Sequence, residues 1–99
     1  MNSETIISEI NKNYDIYFVK IINNINNEIK MNFRFGRISY MPRIAKLSEI
    51  SEKEQNIIIN RLLTDIKNHY RKFGYIVKNS ELNSNYLLIY FSGTIIEKD

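Results

Sequence analysis

Apolar side chains recur every three or four residues through the first thirty positions, which is the spacing of one face of an α-helix. This period predicts a long amphipathic helix over residues 3–30. Asparagines crowd its opposite face and lower the helix propensity, so the alternative of a break near residues 11–13 stays open. The apolar positions are Ile7, Ile10, Tyr14, Phe18, Ile21, Ile25 and Ile29.

The period changes to two after residue 30, which is typical of a β-strand with unlike faces. Met31, Phe33 and Phe35 fall on one side of a strand that is predicted over residues 31–41. Gly36 disturbs the alternation and predicts a bulge or a tight bend. Pro42 cannot donate a ladder hydrogen bond, so we expect the strand to end just before it.

A second helix is predicted over residues 51–73, because Ser51 and Glu54 have the spacing of a capping box. Gly74 follows, in the position where a left-handed residue ends a helix at the lowest cost. Two apolar runs joined by a polar turn then predict an antiparallel hairpin over residues 75–92. Residues 94–99 form either a short tail or an extension of the last strand.

The element order helix, strand, helix, strand, strand predicts an α+β fold with two helices packed on a three-stranded sheet. The 99 residues suit one domain, which spans residues 1–99. The run 86–91 is apolar on both faces, as in a central strand. Two helices cover one sheet face, which leaves apolar side chains on the other face for a partner. The candidates are either Leu87, Ile89 and Phe91 or Tyr86, Leu88 and Tyr90.

Catalytic and metal-binding patterns are scarce in this chain. It has no cysteine, which excludes disulfides, thiolate chemistry and cysteine-bound metals. His69 lies four residues after Asp65, but a solvated histidine at a helix C-terminus is the simpler explanation, and Glu49, Glu52 and Glu54 complement a helix N-terminus. There is no phosphate-binding glycine loop or nucleophile elbow. We therefore expect a protein that is not an enzyme, with no metal and no cofactor.

The sequence also predicts where the protein is found. No apolar run approaches the roughly 20 residues of a membrane-spanning helix. The first ten residues carry Glu4 and Glu9 and no basic residue, unlike the start of a secretory signal. We expect a location in the cytoplasm of a bacterial cell, without membrane contact.

One segment, residues 30–46, has five basic residues, three aromatic residues and no acid, whereas the whole chain has a net charge of only +3. Such a segment could neutralise phosphates while an aromatic ring stacks on a base. The alternative is a strand whose aromatic side chains lie in the core and whose arginines are simply solvated. The candidate binding residues are Lys30, Arg34, Phe35, Arg37, Tyr40, Arg43 and Lys46.

A secondary basic group, Lys67, Arg71 and Lys72, lies in the last turns of the second helix. Attraction to the negative end of the helix dipole explains this group without a ligand. If both basic groups lay on one side of the fold, nucleic-acid binding would be favoured.

The stretch over residues 62–91 reads LLTDIKNHYRKFGYIVKNSELNSNYLLIYF. Together with the strand before it, this stretch resembles small accessory proteins of phages and prophages, in which a hairpin is opened by a "GY.V" turn. The resemblance covers roughly residues 31–91 and contains no catalytic motif. It implies a phage or mobile-element origin and a role in host takeover, in inhibition of a bacterial defence system (as anti-CRISPR proteins do), or in the virion.

Two functions from different classes follow from these features. The first is a protein-binding module, either a monomer or a homodimer, that inhibits or modulates a host or defence complex. That target complex either carries nucleic acid or consists of protein alone. The second is a nucleic-acid-binding protein that uses the basic and aromatic segment 30–46. A small structural component of the virion is a further alternative from the resemblance.

Overall fold

The fold is known from a computed structural model, which describes residues 3–91. Its class is α+β, as the sequence predicts, with three helices and an antiparallel sheet of three strands. The end of the predicted hairpin at residue 92 and the tail 94–99 lie outside the described residues. The elements are α1 (Ser3–Lys12), α2 (Tyr14–Met31), β1 (Arg37–Tyr40), α3 (Glu52–Arg71), β2 (Ile76–Asn79) and β3 (Leu87–Tyr90), with short 3-10 helices at Phe33–Phe35 and Ala45–Glu49.

The long first helix is divided in two at Asn13, within the stretch where the asparagines left a break open. The backbone N–H and the side-chain amide of Asn13 both donate to the Glu9 carbonyl, each at 3.1 Å. A side chain that bonds to the preceding turn competes with regular helix geometry. Asn13 accordingly has φ −102° and ψ 11°, and α2 begins at the next residue.

The same kind of asparagine side-chain bond ends α2. The prediction of a strand over residues 31–41 is therefore wrong in its first half. The backbone N–H and Nδ2 of Asn32 both donate to the Glu28 carbonyl, at 3.0 and 2.8 Å. The chain then makes one turn of 3-10 helix, which Gly36 closes at φ 74°. This left-handed conformation suits glycine, and extended backbone starts only after it. The alternating apolar residues before Gly36 therefore belong to a helix end and a turn.

The sequence signals of α3 are confirmed. The backbone N–H of Glu54 donates to Ser51 Oγ at 3.2 Å, and Glu54 Oε1 accepts from the backbone N–H of Ser51 at 3.4 Å, which is a capping box. Gly74 follows the helix at φ 83°. The helix ends at Arg71, two residues before the predicted boundary, and Lys72 is its C-cap.

β3 is the central strand, as its two apolar faces predict, and the strand order is β1-β3-β2. Ile89 pairs with Ile38 on one side and with Val77 on the other. These three side chains lie on one face of the sheet and are buried in the core under the helices. Leu87 lies on the same face and has no exposed surface.

The sequence left open which side chains of β3 lie on the sheet face that the helices do not cover. In the structure these side chains are Leu88 and Tyr90. Leu88 is half-buried, and Tyr90 is 6% exposed. Arg37 pairs with Tyr90 from β1, while Lys78 of β2 places its Nζ 5.3 Å from the centre of the Tyr90 ring. This face is therefore apolar in its middle strand, and each edge strand adds one cation to it, beside Ser39 of β1 and Ile76 of β2.

Two further properties hold for the described part of the chain. Among residues 3–91, no helix combines the length and the apolar character that crossing a membrane requires. Within the same residues, no three histidine or acidic side chains gather as potential ligands of one metal ion.

Two leucines give a direct test of this core. Leu62 of α3 is 0% exposed, whereas Leu82 in the hairpin turn is 99% exposed. Leu62→Ala removes buried methyl groups and leaves a cavity, so we expect the free energy of unfolding to fall by about 2–5 kcal/mol. The same change at Leu82 should alter it by less than about 0.5 kcal/mol. Urea unfolding followed by circular dichroism measures both, and equal effects would contradict this packing.

Candidate functional site

The structure separates the seven candidate residues of segment 30–46 into two groups. Lys30 in the last turn of α2, Arg34 and Phe35 in the 3-10 turn, and Arg37 at the start of β1 form the first group, and all four are exposed. The second group, Tyr40, Arg43 and Lys46, follows β1 toward the second 3-10 helix. Segment 30–46 is thus not one strand with an aromatic face and a basic face.

The first group lies in a segment with three exposed apolar side chains. Met31 is 77% exposed, Phe33 70% and Phe35 65%. The ring of Phe33 stacks on Phe91 at 6.0 Å, and the Phe91 N–H donates to the Gly36 carbonyl at 3.0 Å. The turn is therefore fastened to the end of the central strand while its apolar side chains face water. We call residues 31–37 the aromatic turn.

Two residues of the second group, Tyr40 and Arg43, border a cleft between α2 and the chain that follows β1. Tyr40 is half-buried and packs against the core, and Arg43 is exposed at the rim. The cleft has a volume of about 610 Å³ and also includes Tyr17, Lys20 and Asn24 from one side of α2. We call it the α2–β1 cleft.

Lys46 is occupied by an internal partner. Its Nζ donates to Glu9 Oε1 in an ion pair that joins the second 3-10 helix to α1. This hydrogen bond raises the pKa of the Lys46 ammonium group. The pair neutralises the lysine, so Lys46 is a weaker candidate for a partner than the sequence indicated.

The secondary basic group is largely used by the fold. Lys67 Nζ donates to Asn79 Oδ1, and Arg71 Nη2 donates to the Val77 carbonyl at 2.9 Å. Both side chains therefore fasten α3 to strand β2. Lys72 remains exposed after the end of the helix.

His69 and Asp65 do not work as a pair in this structure. Asp65 Oδ2 accepts a hydrogen bond of 2.6 Å from the Tyr14 hydroxyl. The His69 ring instead packs edge-on against Phe18, Tyr70 and Phe73, with centroid separations of 6.0, 4.9 and 5.4 Å. The imidazole is half-buried in an aromatic cluster between α2 and α3. It lies in the last turn of α3, where the sequence predicts it, but it is only partly exposed to solvent.

Lys20 and Asn24 are not among the binding residues that the sequence predicts. Both lie on the polar side of the first predicted helix, where asparagines and lysines are common and carry little information. Their spacing from Tyr17, three and seven residues, is that of one helix face. This spacing could have indicated a shared site in the sequence. It indicates a cleft only once the chain after β1 is known to lie against that helix face.

Comparisons of the chain with family models, with curated proteins and with solved structures give no match. Residues 62–91, which carry the resemblance to phage accessory proteins, form a helix, a glycine turn and a hairpin. The resemblance itself stays a prediction.

The Tyr14 hydroxyl gives a testable pH dependence. Burial raises its pKa well above the ordinary value of 10.0, and the hydrogen bond to Asp65 adds to this effect. The unfolded chain therefore loses this proton first, and the stability that the neutral hydroxyl contributes is lost as pH rises above about 10. Burial acts in the same direction on the pKa of Tyr70.

We expect Tyr14→Phe to lower the free energy of unfolding by about 1 kcal/mol at pH 7, because Asp65 loses a donor. The variant should also lose less stability than the native protein between pH 9 and pH 11. Urea unfolding at a series of pH values measures both effects. An unchanged alkaline slope in the variant would contradict the assigned environment of Tyr14.

Proposed function

We propose that this protein is a non-enzymatic binding module that contacts another protein through the aromatic turn. The observation that carries the proposal is the exposure of Met31, Phe33 and Phe35, each 65% or more, within five consecutive residues. Clustered apolar side chains in water are costly and mark interaction surfaces. The turn is closed by Gly36 and stacked on Phe91, so it presents these side chains in a fixed arrangement.

The composition of the turn supports a protein as the partner. Phenylalanine, methionine and arginine are enriched at protein interfaces, and a few aromatic and arginine side chains usually carry most of the affinity. Lys30, Arg34 and Arg37 alternate with the apolar side chains along the sequence and are exposed. The partner that fits this surface has an apolar pocket with an acidic rim.

The outer face of the sheet is a candidate for additional contacts with the same partner. The sequence pointed to the outward side of β3 as a contact surface, and Leu88 and Tyr90 are the side chains there. Both are less exposed than the aromatic turn, with Tyr90 at 6%. Arg37 belongs to both surfaces, because it pairs with Tyr90 across the sheet. The outer face therefore fits the rim of an interface centred on the turn.

The biological role that we propose for this module is that of a phage-type accessory protein. It inhibits or modulates a host or defence complex in the bacterial cytoplasm. This part rests on the resemblance of residues 31–91 to phage and prophage accessory proteins. A second copy of the chain is the alternative partner for an exposed apolar turn. Light scattering of the purified protein distinguishes a homodimer from a monomer that awaits another protein.

A specific observation favours nucleic acid as a second candidate partner. Within residues 3–91, Lys30, Arg34 and Arg37 form no ion pair, and all three lie within five residues of Phe33 or Phe35 in the sequence. Free cations next to aromatic rings suit a single-stranded nucleic acid. Such binding would weaken steeply with salt, whereas an apolar protein contact would not.

The aromatic turn can be tested with a doubly substituted variant. Phe33→Ser with Phe35→Ser removes two exposed rings at little cost to the core, and Leu82→Ser removes an even more exposed apolar side chain in the hairpin turn. We expect the first variant to recover at least about tenfold less partner from a bacterial lysate, as loss of two interface anchors implies. Quantitative mass spectrometry after nuclease treatment and a high-salt wash gives the comparison.

The control variant Leu82→Ser should recover as much partner as the native protein. Full recovery by the double variant would exclude the aromatic turn as the contact surface. Loss of every partner on nuclease treatment would instead select the nucleic-acid candidate.

A further inference from the structure

The α2–β1 cleft has the size of a small-molecule site. Its volume of about 610 Å³ lies within the range of roughly 300–1,000 Å³ that is usual for ligand pockets. Ile21 and Ile44, which are 4% and 6% exposed, form part of its apolar lining. Polar and aromatic side chains complete the wall on both sides, so a ligand here would meet an apolar base and a polar rim.

The charges of the cleft are all of one sign. Lys20 comes from α2 and Arg43 from the chain after β1, and no acidic residue lines the cleft. Neither side chain forms an ion pair with any residue in the range 3–91. The nearby Lys46 already neutralises Glu9. Two unpaired cations at one concavity favour an anionic group, and arginine is suited to bidentate contact with phosphate.

Aromatic and amide groups complete the lining. Tyr17 of α2 and Tyr40 of β1 both line the cleft, and both are half-buried and packed against the core. Packing restricts their rings, which makes them suitable surfaces for a planar group. Asn24 supplies both a donor and acceptor sites for the polar edge of such a group.

From this combination we propose that the α2–β1 cleft binds a nucleotide. Lys20 and Arg43 hold its phosphate, the base packs against the tyrosine rings, and Asn24 bonds to the edge of the base. The nucleotide is either free or part of a single-stranded nucleic acid, since the binding chemistry is the same. The proposal is independent of the aromatic turn, which shares no residue with the cleft.

The test measures affinity by calorimetry for four probes: adenosine monophosphate, a short oligothymidylate, inorganic phosphate and a poly-glutamate peptide. The variant Lys20→Gln with Arg43→Gln removes both cations. Lys72→Gln serves as a matched control, because Lys72 is an exposed cation at the end of α3 and does not line this cleft. Thermal unfolding of each variant shows that the fold is retained.

We expect the double variant to bind the nucleotide-containing probes at least about tenfold more weakly than the native protein, and the control variant to bind them as the native protein does. With oligothymidylate, the slope of log affinity against log salt should also fall by about 0.7 for each lost phosphate contact. Tyr40→Leu, which keeps apolar volume but removes the ring, should weaken binding of adenosine monophosphate more than binding of inorganic phosphate.

The two sources of the nucleotide give different results. Similar affinities for adenosine monophosphate and oligothymidylate support a free nucleotide, and a strong preference for oligothymidylate supports a nucleic-acid strand. Equal affinity for poly-glutamate or for inorganic phosphate would overturn the proposal, because the base would then contribute nothing. Unchanged binding in the double variant, or no binding of any nucleotide probe at millimolar concentration, would also overturn it.

Discussion

The contact between α2 and α3 depends on two buried tyrosines that must find partners for their hydroxyl groups. Tyr70 donates to Asn26 Oδ1 at 2.7 Å, and Tyr14 donates to Asp65 at 2.6 Å. A buried hydroxyl without a partner would cost about 1–3 kcal/mol, so these bonds select one alignment of the helices. That alignment sets the rest of the structure, because the sheet packs against the helices and both candidate surfaces lie where α2 meets the chain around β1.

The aromatic turn follows from this arrangement. β1 pairs with β3 with Ile38 opposite Ile89, and a slip of one residue would turn Ile38 out of the core. The chain therefore has to leave α2 within a few residues, and Asn32 and Gly36 supply the helix end and the left-handed residue that this requires. Phe33 and Phe35 lie between these two constraints. The core does not need them, and their exposure is for this reason informative about function.

The same residues show which parts of the fold can be predicted from the sequence. Local signals were enough where one short segment decides the outcome, as in the Ser51 capping box, Gly74 and the apolar run of β3. The alternation of Met31, Phe33 and Phe35 was misleading, because these residues lie in a helix end and a 3-10 turn, where side chains two residues apart do not share a face. Nothing local distinguishes such a helix end and turn from a strand until the asparagine side-chain bonds at the end of α2 are known.

The candidate sites were less predictable for a related reason. The α2–β1 cleft joins Lys20 to Arg43, which are far apart in the sequence, so only tertiary packing brings them together. Packing also decides which cations are available. The fold uses Lys46, Lys67 and Arg71 for bonds between its own elements, and a cation that is bonded internally has little left to offer a phosphate or a carboxylate.

Lys20, Arg34, Arg37 and Arg43 have no such internal use within residues 3–91. All four belong to α2 or to the chain between α2 and the second 3-10 helix, next to exposed or half-buried aromatic rings. A small domain gains nothing in stability from unpaired cations gathered on one part of its surface, because like charges repel. The partners that we propose for the two surfaces are of opposite charge, and they would offset this repulsion.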